Sequence, residues 1–148
     1  MKVSLIIPVY NEKETIIKLL DRVVAAKAGM DKEIVIVDDG STDGTSSMLD
    51  GYYNKFKSSG FATEMKLMHK QNGGKGSAIY EGLKYATGDI VGVQDADLEY
   101  FPEDYEKILE PMKMGVTRVA YGSRFMGRYI PQGMTLKNWI GKDRKSVV

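Results

Sequence analysis

Short apolar runs rich in Val and Ile alternate along the chain with segments of helical period, and this alternation limits the fold more than any other feature. It is the pattern of an α/β domain, a mostly parallel sheet covered by helices, because parallel neighbours need a long crossover and a helix supplies it. Strands are expected in "KVSLIIPV" (2–9), "EIVIVD" (33–38), "TEMKLMHK" (63–70), "TGDIVGVQD" (87–95, a turn and then the strand) and "TRVAYGSRF" (117–125, a strand running into a loop). After the first strand, Asn11 with Glu14 three residues on has the spacing of a capping box. Ile16, Ile17, Leu20, Val23 and Val24 then form a helical stripe. A second helix carries Met48, Leu49, Tyr52, Tyr53 and Phe56, and a third is read in "AIYEGLKYA" (78–86). A fourth lies in "PEDYEKILEPMKM" (102–114), opened by Pro102 and bent or ended by Pro111.

Composition sets the outer limits. With 148 residues, 43% of them hydrophobic, the chain supports one core, and no repeat or low-complexity linker divides it. Its 21 basic and 20 acidic residues leave a formal net charge of +1, which gives no electrostatic case for nucleic acid as a partner. There is no cysteine, so disulfides, zinc–thiolate sites and a cysteine nucleophile are excluded; the single histidine, His69, rules out a histidine-rich metal site. The N-terminal apolar run is interrupted at Glu12, too early for a signal-peptide core or a membrane span. A cytoplasmic location is expected, with membrane attachment through other segments left open. The last six residues, "DRKSVV" (143–148), are what a common sequencing adapter encodes when read in frame. They are expected to be a non-native tail on a domain of residues 1–142 that is incomplete at its C-terminus, a natural basic tail being the plain alternative.

In parallel α/β sheets, ligands bind beyond the carboxyl ends of the strands. Four polar clusters fall there: "PVYNE", "DDGSTDGT", "QNGGKG" and "DADLE", after strands one to four. Together they describe a pocket lined with acids, glycines and one lysine. Asp95, Asp97 and Glu99 stand where the apolar pattern stops, close enough to repel one another. An acidic helix N-terminus accounts for Glu103 and Asp104 better than for Asp95. Two aspartates around a small residue offer oxygen ligands of the kind that magnesium or manganese takes alongside substrate phosphates. Such an ion relieves the repulsion and neutralises charge on a departing diphosphate. The stretch from Asp39 imitates a calcium loop in part, through Ser41, Asp43, Gly44 and Asp50, but a β-branched run stands where the leading helix belongs. A capped strand-to-helix turn explains Gly40, Ser41 and Thr42, and leaves the acids as acceptors for a base or ribose. "NGGKGSA" offers backbone amides and Lys75 to phosphates without the residue order of a P-loop, and a solvated loop is equally compatible.

With these clusters in this order, the chain resembles the family 2 glycosyltransferases of the Rossmann-like GT-A fold, whose sheet carries helices on both faces. Within them it is most similar to the dolichol-phosphate mannosyltransferase group, the polyprenyl-phosphate hexose synthases. "VSLIIPVYNE", "EIVIVDDGSTDGT", "NGGKGSAIYEGLKYATGDIVGVQDADLEYFPEDY" and "YGSRF" carry the likeness from residue 3 to about residue 127. The resemblance implies that Pro8, Tyr10 and Glu12 line the nucleotide pocket, with Val37 and Asp39 holding base and ribose. It makes Asp95, Ala96 and Asp97 a D-x-D element, with Asp97 and Asp95 at a Mg2+ or Mn2+ ion and Glu99 a further ligand. Arg124 would meet the donor diphosphate or the acceptor phosphate, and Arg128 could do the same from the following loop, a solvated surface arginine being the equal alternative. The implied reaction is an inverting, metal-dependent transfer of a hexose, mannose or glucose, from GDP-mannose or UDP-glucose to polyprenyl (dolichyl) phosphate, with peripheral membrane association. One histidine is no obstacle, since an acceptor phosphate with a second pKa of about 6 is already mostly ionised at neutral pH. Trp139 in "LKNWIGK" does not fit the tryptophan motif of the hydroxyl-acceptor branches and reads as a helix-packing residue. Three other readings stand beside this one: a non-catalytic nucleotide-sugar-binding module or inactive fragment, a family 2 transferase using a hydroxyl acceptor, and a nucleotidyltransferase. The last would want a glycine-rich loop where "PVYNEKE" stands.

Overall fold

The computed structural model describes residues 1–122. Arg124, Arg128, Trp139, the suspected tail and the end of the expected fifth strand lie outside the described residues. Four strands, β1 (Lys2–Val9), β2 (Asp31–Asp38), β3 (Glu64–His69) and β4 (Ile90–Val93), form one parallel sheet in the order β3-β2-β1-β4. Between and after them run α1 (Ile16–Ala25), α2 (Thr45–Ser58), α3 (Lys75–Leu83) and α4 (Tyr105–Lys113), the last preceded by a 3-10 turn at Pro102–Asp104.

The strand alternation sorts the core into two layers. Val3, Leu5, Ile7 and Val9 of β1 and Ile34 and Ile36 of β2 face α1, α2 and α4, which contribute Ile16, Leu19, Leu20, Val23, Leu49, Phe56, Tyr105 and Leu109. Ile6, Val35 and Val37 point the other way and pack under Ala78 of α3, with Met68 at the margin. Helices thus lie on both faces, as expected, and the handedness rule explains their division. The chain steps outward from β1 to β2 to β3 over one face, then returns past β1 to β4; right-handed crossovers in opposite directions must use opposite faces. On the return α3 sits almost on the sheet: a Cβ added at Gly82 would lie 2.6 Å from Ile6 Cγ2. Its cover does not reach the β4 edge, where Val91 and Val93, in register with Ser4 and Ile6, are 42% and 51% exposed.

Several expectations change in detail. Thr15, not Asn11, occupies the N-cap of α1. Asn11 instead adopts a left-handed φ of 54°, which asparagine tolerates, and its Oδ1 accepts a 2.8 Å bond from the Thr42 amide. The polar side chain serves a contact between loops in preference to a local cap. Helix α3 begins at Lys75, three residues before the expected start, and ends at Leu83. Met48 is exposed while Leu19, outside the expected stripe, is fully buried. Helix α4 passes through Pro111 and stops two residues later, so the missing N–H forfeits one bond in the last turn only. Residues 117–122, the described part of the fifth expected strand, are not a strand.

At the amino ends of the strands, Glu33 is fully buried. Its carboxylate accepts from Ser4 Oγ, from the Thr87 amide (2.5 Å) and hydroxyl (2.9 Å), and from Lys2 and Lys66 at 2.9 and 3.1 Å. This acid ties β1, β2, β3 and the turn before β4 into one unit. Burial alone would raise its pKa, but the hydrogen bonds from Ser4, Thr87 and Lys2 overcome that and hold it well below the usual carboxylate range.

Candidate active site

The strand order reverses beside β1: β2 and β3 lie to one side and β4 to the other. The crevice at the carboxyl ends of β1 and β4 is therefore the topological switch point, where open α/β sheets bind ligands. Pairing between β1 and β4 runs only from Val3–Ile90 to Ile6–Val93. Pro8, beyond the last of these pairs, costs β4 no ladder bond. It lies in register with Val37 of β2, and both are buried, so these two expected pocket residues share one spot on the sheet. Tyr10 is exposed just past β1, and Glu12 is half-buried in the following turn.

The loops after β1 and β2 are laced together. The Asn11, Glu12 and Lys13 amides donate to Ser41 Oγ (3.0 Å), Thr45 Oγ1 (3.0 Å) and Asp43 Oδ2 (3.3 Å). Beneath them the buried Asp38 accepts from the Ser41 amide, from Ser46 Oγ at 2.5 Å and from His69 Nδ1 at 2.8 Å. The other ring nitrogen of His69 meets Asp50 at 3.1 Å, so Asp50 is engaged with the histidine and not with a calcium loop. Burial would lower the His69 pKa, but Asp38 and Asp50 outweigh it and raise the imidazole above its ordinary value.

Asp39 is equally committed. Its buried carboxylate accepts from Lys70 Nζ at 2.6 Å, from the Gly73 amide at 3.0 and 3.2 Å and from the Gly74 amide at 2.7 Å. Burial opposes ionisation, and these bonds reverse the balance, holding the acid below the ordinary range. The acid expected at the ribose thus also shapes the glycine loop. Gly40 permits this approach: its φ is +76°, and a Cβ there would stand 2.9 Å from the Asn72 amide.

The shaped loop delivers Lys75 to the acidic cluster. Lys75 is the first residue of α3, and its Nζ lies 2.5 Å from Asp95 Oδ1. Asp97 Oδ1 accepts the Glu99 amide at 3.0 Å, an Asx-type turn that leaves Glu99 on the exposed side. Ala96, between the aspartates, is buried. Gln94 anchors the base of this loop: its amide donates to Ile6 O, its Oε1 accepts from Tyr105 OH at 2.7 Å, and its Nε2 donates to Asp95 O. Farther along, Arg22 grips Glu103 through two bonds of 2.9 and 2.7 Å and lies over the Phe101 ring, fixing the segment against α1. Sequence reading missed Lys70, His69, Gln94 and Tyr105. Lys70 had one weak signal, a cation at a strand end; its partner is 31 residues away.

Among the described residues no three His, Asp or Glu side chains form a metal cage. Two carboxylates from one loop nevertheless fit Mg2+ or Mn2+, which bind through one or two carboxylates and complete the shell with phosphates and water. The ammonium on Asp95 is a stand-in: this oxygen already holds a cation, supplied from the start of α3. A cavity of about 610 Å3 lies instead at the amino ends of the strands, lined in part by Lys2, Lys32 and Glu64. Two of its three lysines are already engaged: Lys2 pairs with Glu33 and Glu64, and Lys32 caps the carbonyls of Val23, Val24 and Ala26. The convergent acids and amides lie at the other end.

A doubly wound parallel sheet with an acid-lined crevice at its switch point is the class of domain that the fold and site define. The model of the family "Glycosyl transferase family 2" matches residues 4–145, and the chain belongs to that family. It is 37% identical over 140 residues to the dolichol-phosphate mannosyltransferase of Pyrococcus furiosus, a match covering 94% of this chain and 36% of the relative. To the undecaprenyl-phosphate 4-deoxy-4-formamido-L-arabinose transferase of Sodalis glossinidius it is 40% identical over 111 residues, covering 74% of this chain and 33% of the other. Among solved structures it is similar to the mannosyltransferase PcManGT from Pyrobaculum calidifontis in complex with GDP-Man and Mn2+, with a TM-score of 0.55 and 33% identity over 64% of this chain and 27% of that one. It is also similar to S. aureus TarS in complex with UDP-GlcNAc, with a TM-score of 0.54 and 34% identity over 66% and 27% of the two chains. The sheet and its helices are thus of the GT-A type that the motifs implied. The chain spans about a third of the length of these curated relatives. Among the described residues no helix is long and apolar enough to cross a membrane.

Proposed function

We propose that the chain carries the donor-binding half of an inverting glycosyltransferase that moves a hexose, mannose or glucose, from a nucleotide sugar to polyprenyl phosphate. The observation that carries this reading is the meeting of the Asp95–Asp97 loop with Lys75 at the switch-point crevice. Pro8, Tyr10, Glu12, Val37 and Asp39 would surround the nucleoside, with Asp39 also holding the glycine loop in shape. Asp97 and Asp95 would hold Mg2+ or Mn2+, with Glu99 as the third candidate ligand, and the ion would supply charge neutralisation at the leaving diphosphate. Lys75 adds a second positive charge for that diphosphate, and Arg124 would meet either phosphate. An acceptor phosphate oxygen forms the new bond to the anomeric carbon as the bond to the diphosphate breaks on the opposite face, so the configuration inverts. The acceptor is already ionised, so no side chain need remove a proton. Because a polyprenyl chain resides in a bilayer, the reaction belongs at the cytoplasmic face of a membrane, with the protein associated peripherally.

Isothermal titration with GDP-mannose and UDP-glucose, each with and without Mn2+, tests the reading. Saturable binding of one donor that EDTA abolishes is expected. Equal heats with and without the ion for both donors would remove the basis of the assignment.

A further inference from the structure

The ion pair between Lys75 and Asp95 differs in kind from the pair that Lys70 makes with Asp39 at the same end of the sheet. Lys70 and Asp39, with side chains 21% and 3% exposed, are locked by the Gly73 and Gly74 amides that share the same carboxylate. Lys75 and Asp95 are 58% and 28% exposed, and among the described residues no second donor to the Asp95 carboxylate accompanies the ammonium. Exposed pairs of this kind contribute little net stability, so separating the two ions is easy. The long lysine side chain springs from a fixed point, because the Asp39-clamped glycines set the start of α3. Its head can leave Asp95 without any movement of the backbone.

We infer that Lys75 is an exchangeable internal cation: it occupies Asp95 in the empty site, yields that oxygen to the metal ion, and passes its ammonium to the donor diphosphate. The inference deepens the transferase reading and rests on it for the diphosphate. Lys75 is then a positioning and binding residue with two partners used in turn. Two consequences follow from linkage. Metal alone binds weakly because it must displace the lysine, and metal and donor help each other because the donor rewards the displaced lysine.

The test is an electron paramagnetic resonance titration of free Mn2+ into the wild-type chain, Lys75→Met and Lys84→Met, each repeated with GDP-mannose and with UDP-glucose. Lys84→Met, at the C-cap of the same helix where the lysine pairs with Glu81, removes the same charge away from the crevice. Lys75→Met should bind Mn2+ alone about 5-fold or more tighter than wild type, and the gain in donor affinity produced by Mn2+ should shrink by a similar factor. Lys84→Met should change neither. Unchanged or weaker Mn2+ binding by Lys75→Met overturns the exchange, as does an equal increase in Lys84→Met, which would reduce the effect to net charge. A wild type that binds Mn2+ but neither donor overturns the transferase reading, while the Mn2+ titration still decides the exchange at Asp95. Failure of all three proteins to bind Mn2+ overturns both.

Discussion

Glu33 and Asp39 show how differently two buried acids on one strand system are used. Asp39 faces the crevice and shapes a loop, whereas Glu33 closes the far end of the sheet with bonds to Ser4, Thr87, Lys2 and Lys66. Glu33→Gln keeps the shape but leaves two lysines and an amide facing a neutral group. Breaking such a buried network costs about 3–5 kcal/mol, which urea denaturation at neutral pH would measure. The pH dependence has a definite sign. The folded pKa lies below the unfolded one, so the contribution is complete above the unfolded value of about 4.3 and is lost as pH falls below it. The wild type should therefore lose stability from about pH 5 downward. Glu33→Gln should show a shallower loss; parallel curves would show that Glu33 is not responsible.

Helix α3 places Lys75 at the crevice, and its height above the sheet is set by two small residues, Ala78 and Gly82. Glycine normally weakens a helix, so its presence here reflects contact with Ile6. Gly82→Ala should destabilise by about 1–3 kcal/mol through overpacking. Gly51→Ala in α2, where an added Cβ meets nothing within 4 Å among the described residues, should stabilise by about 0.5–1 kcal/mol. Opposite shifts of the urea midpoints are the expected result, and a stabilised Gly82→Ala would mean that α3 is not seated as described. The sequence disclosed both helices through their periodicity, but nothing local distinguishes the two glycines. Only the sheet beneath one of them does.

At the scale of the whole molecule, four loops from distant parts of the chain meet at one end of a single sheet, so a ligand gripping them should stabilise the fold as a unit. At a donor concentration of 100 times Kd, with saturating Mn2+, the gain is about 2.7 kcal/mol. For a chain of this length that is about 5–10 °C in Tm. EDTA should cancel it, and a donor-induced shift that survives EDTA would separate donor binding from the ion. Thermal scans with each donor read this directly.

The strands β1 and β2 and the position of the acids at strand ends were legible from residue order, because a burial pattern repeats over a few residues and a strand's carboxyl end follows from its limits. Asn11 looked like a cap for the same reason: a local motif is visible even when a distant loop claims the residue. What only the tertiary structure decided is which charges meet. Lys75 finds Asp95, Lys70 finds Asp39, and Lys2, Lys66 and Thr87 find Glu33, across separations from 20 to 54 residues. Those meetings depend on strand order, on the face each crossover takes and on how closely α3 sits on the sheet. They are products of handedness and packing, which no short stretch of residues encodes.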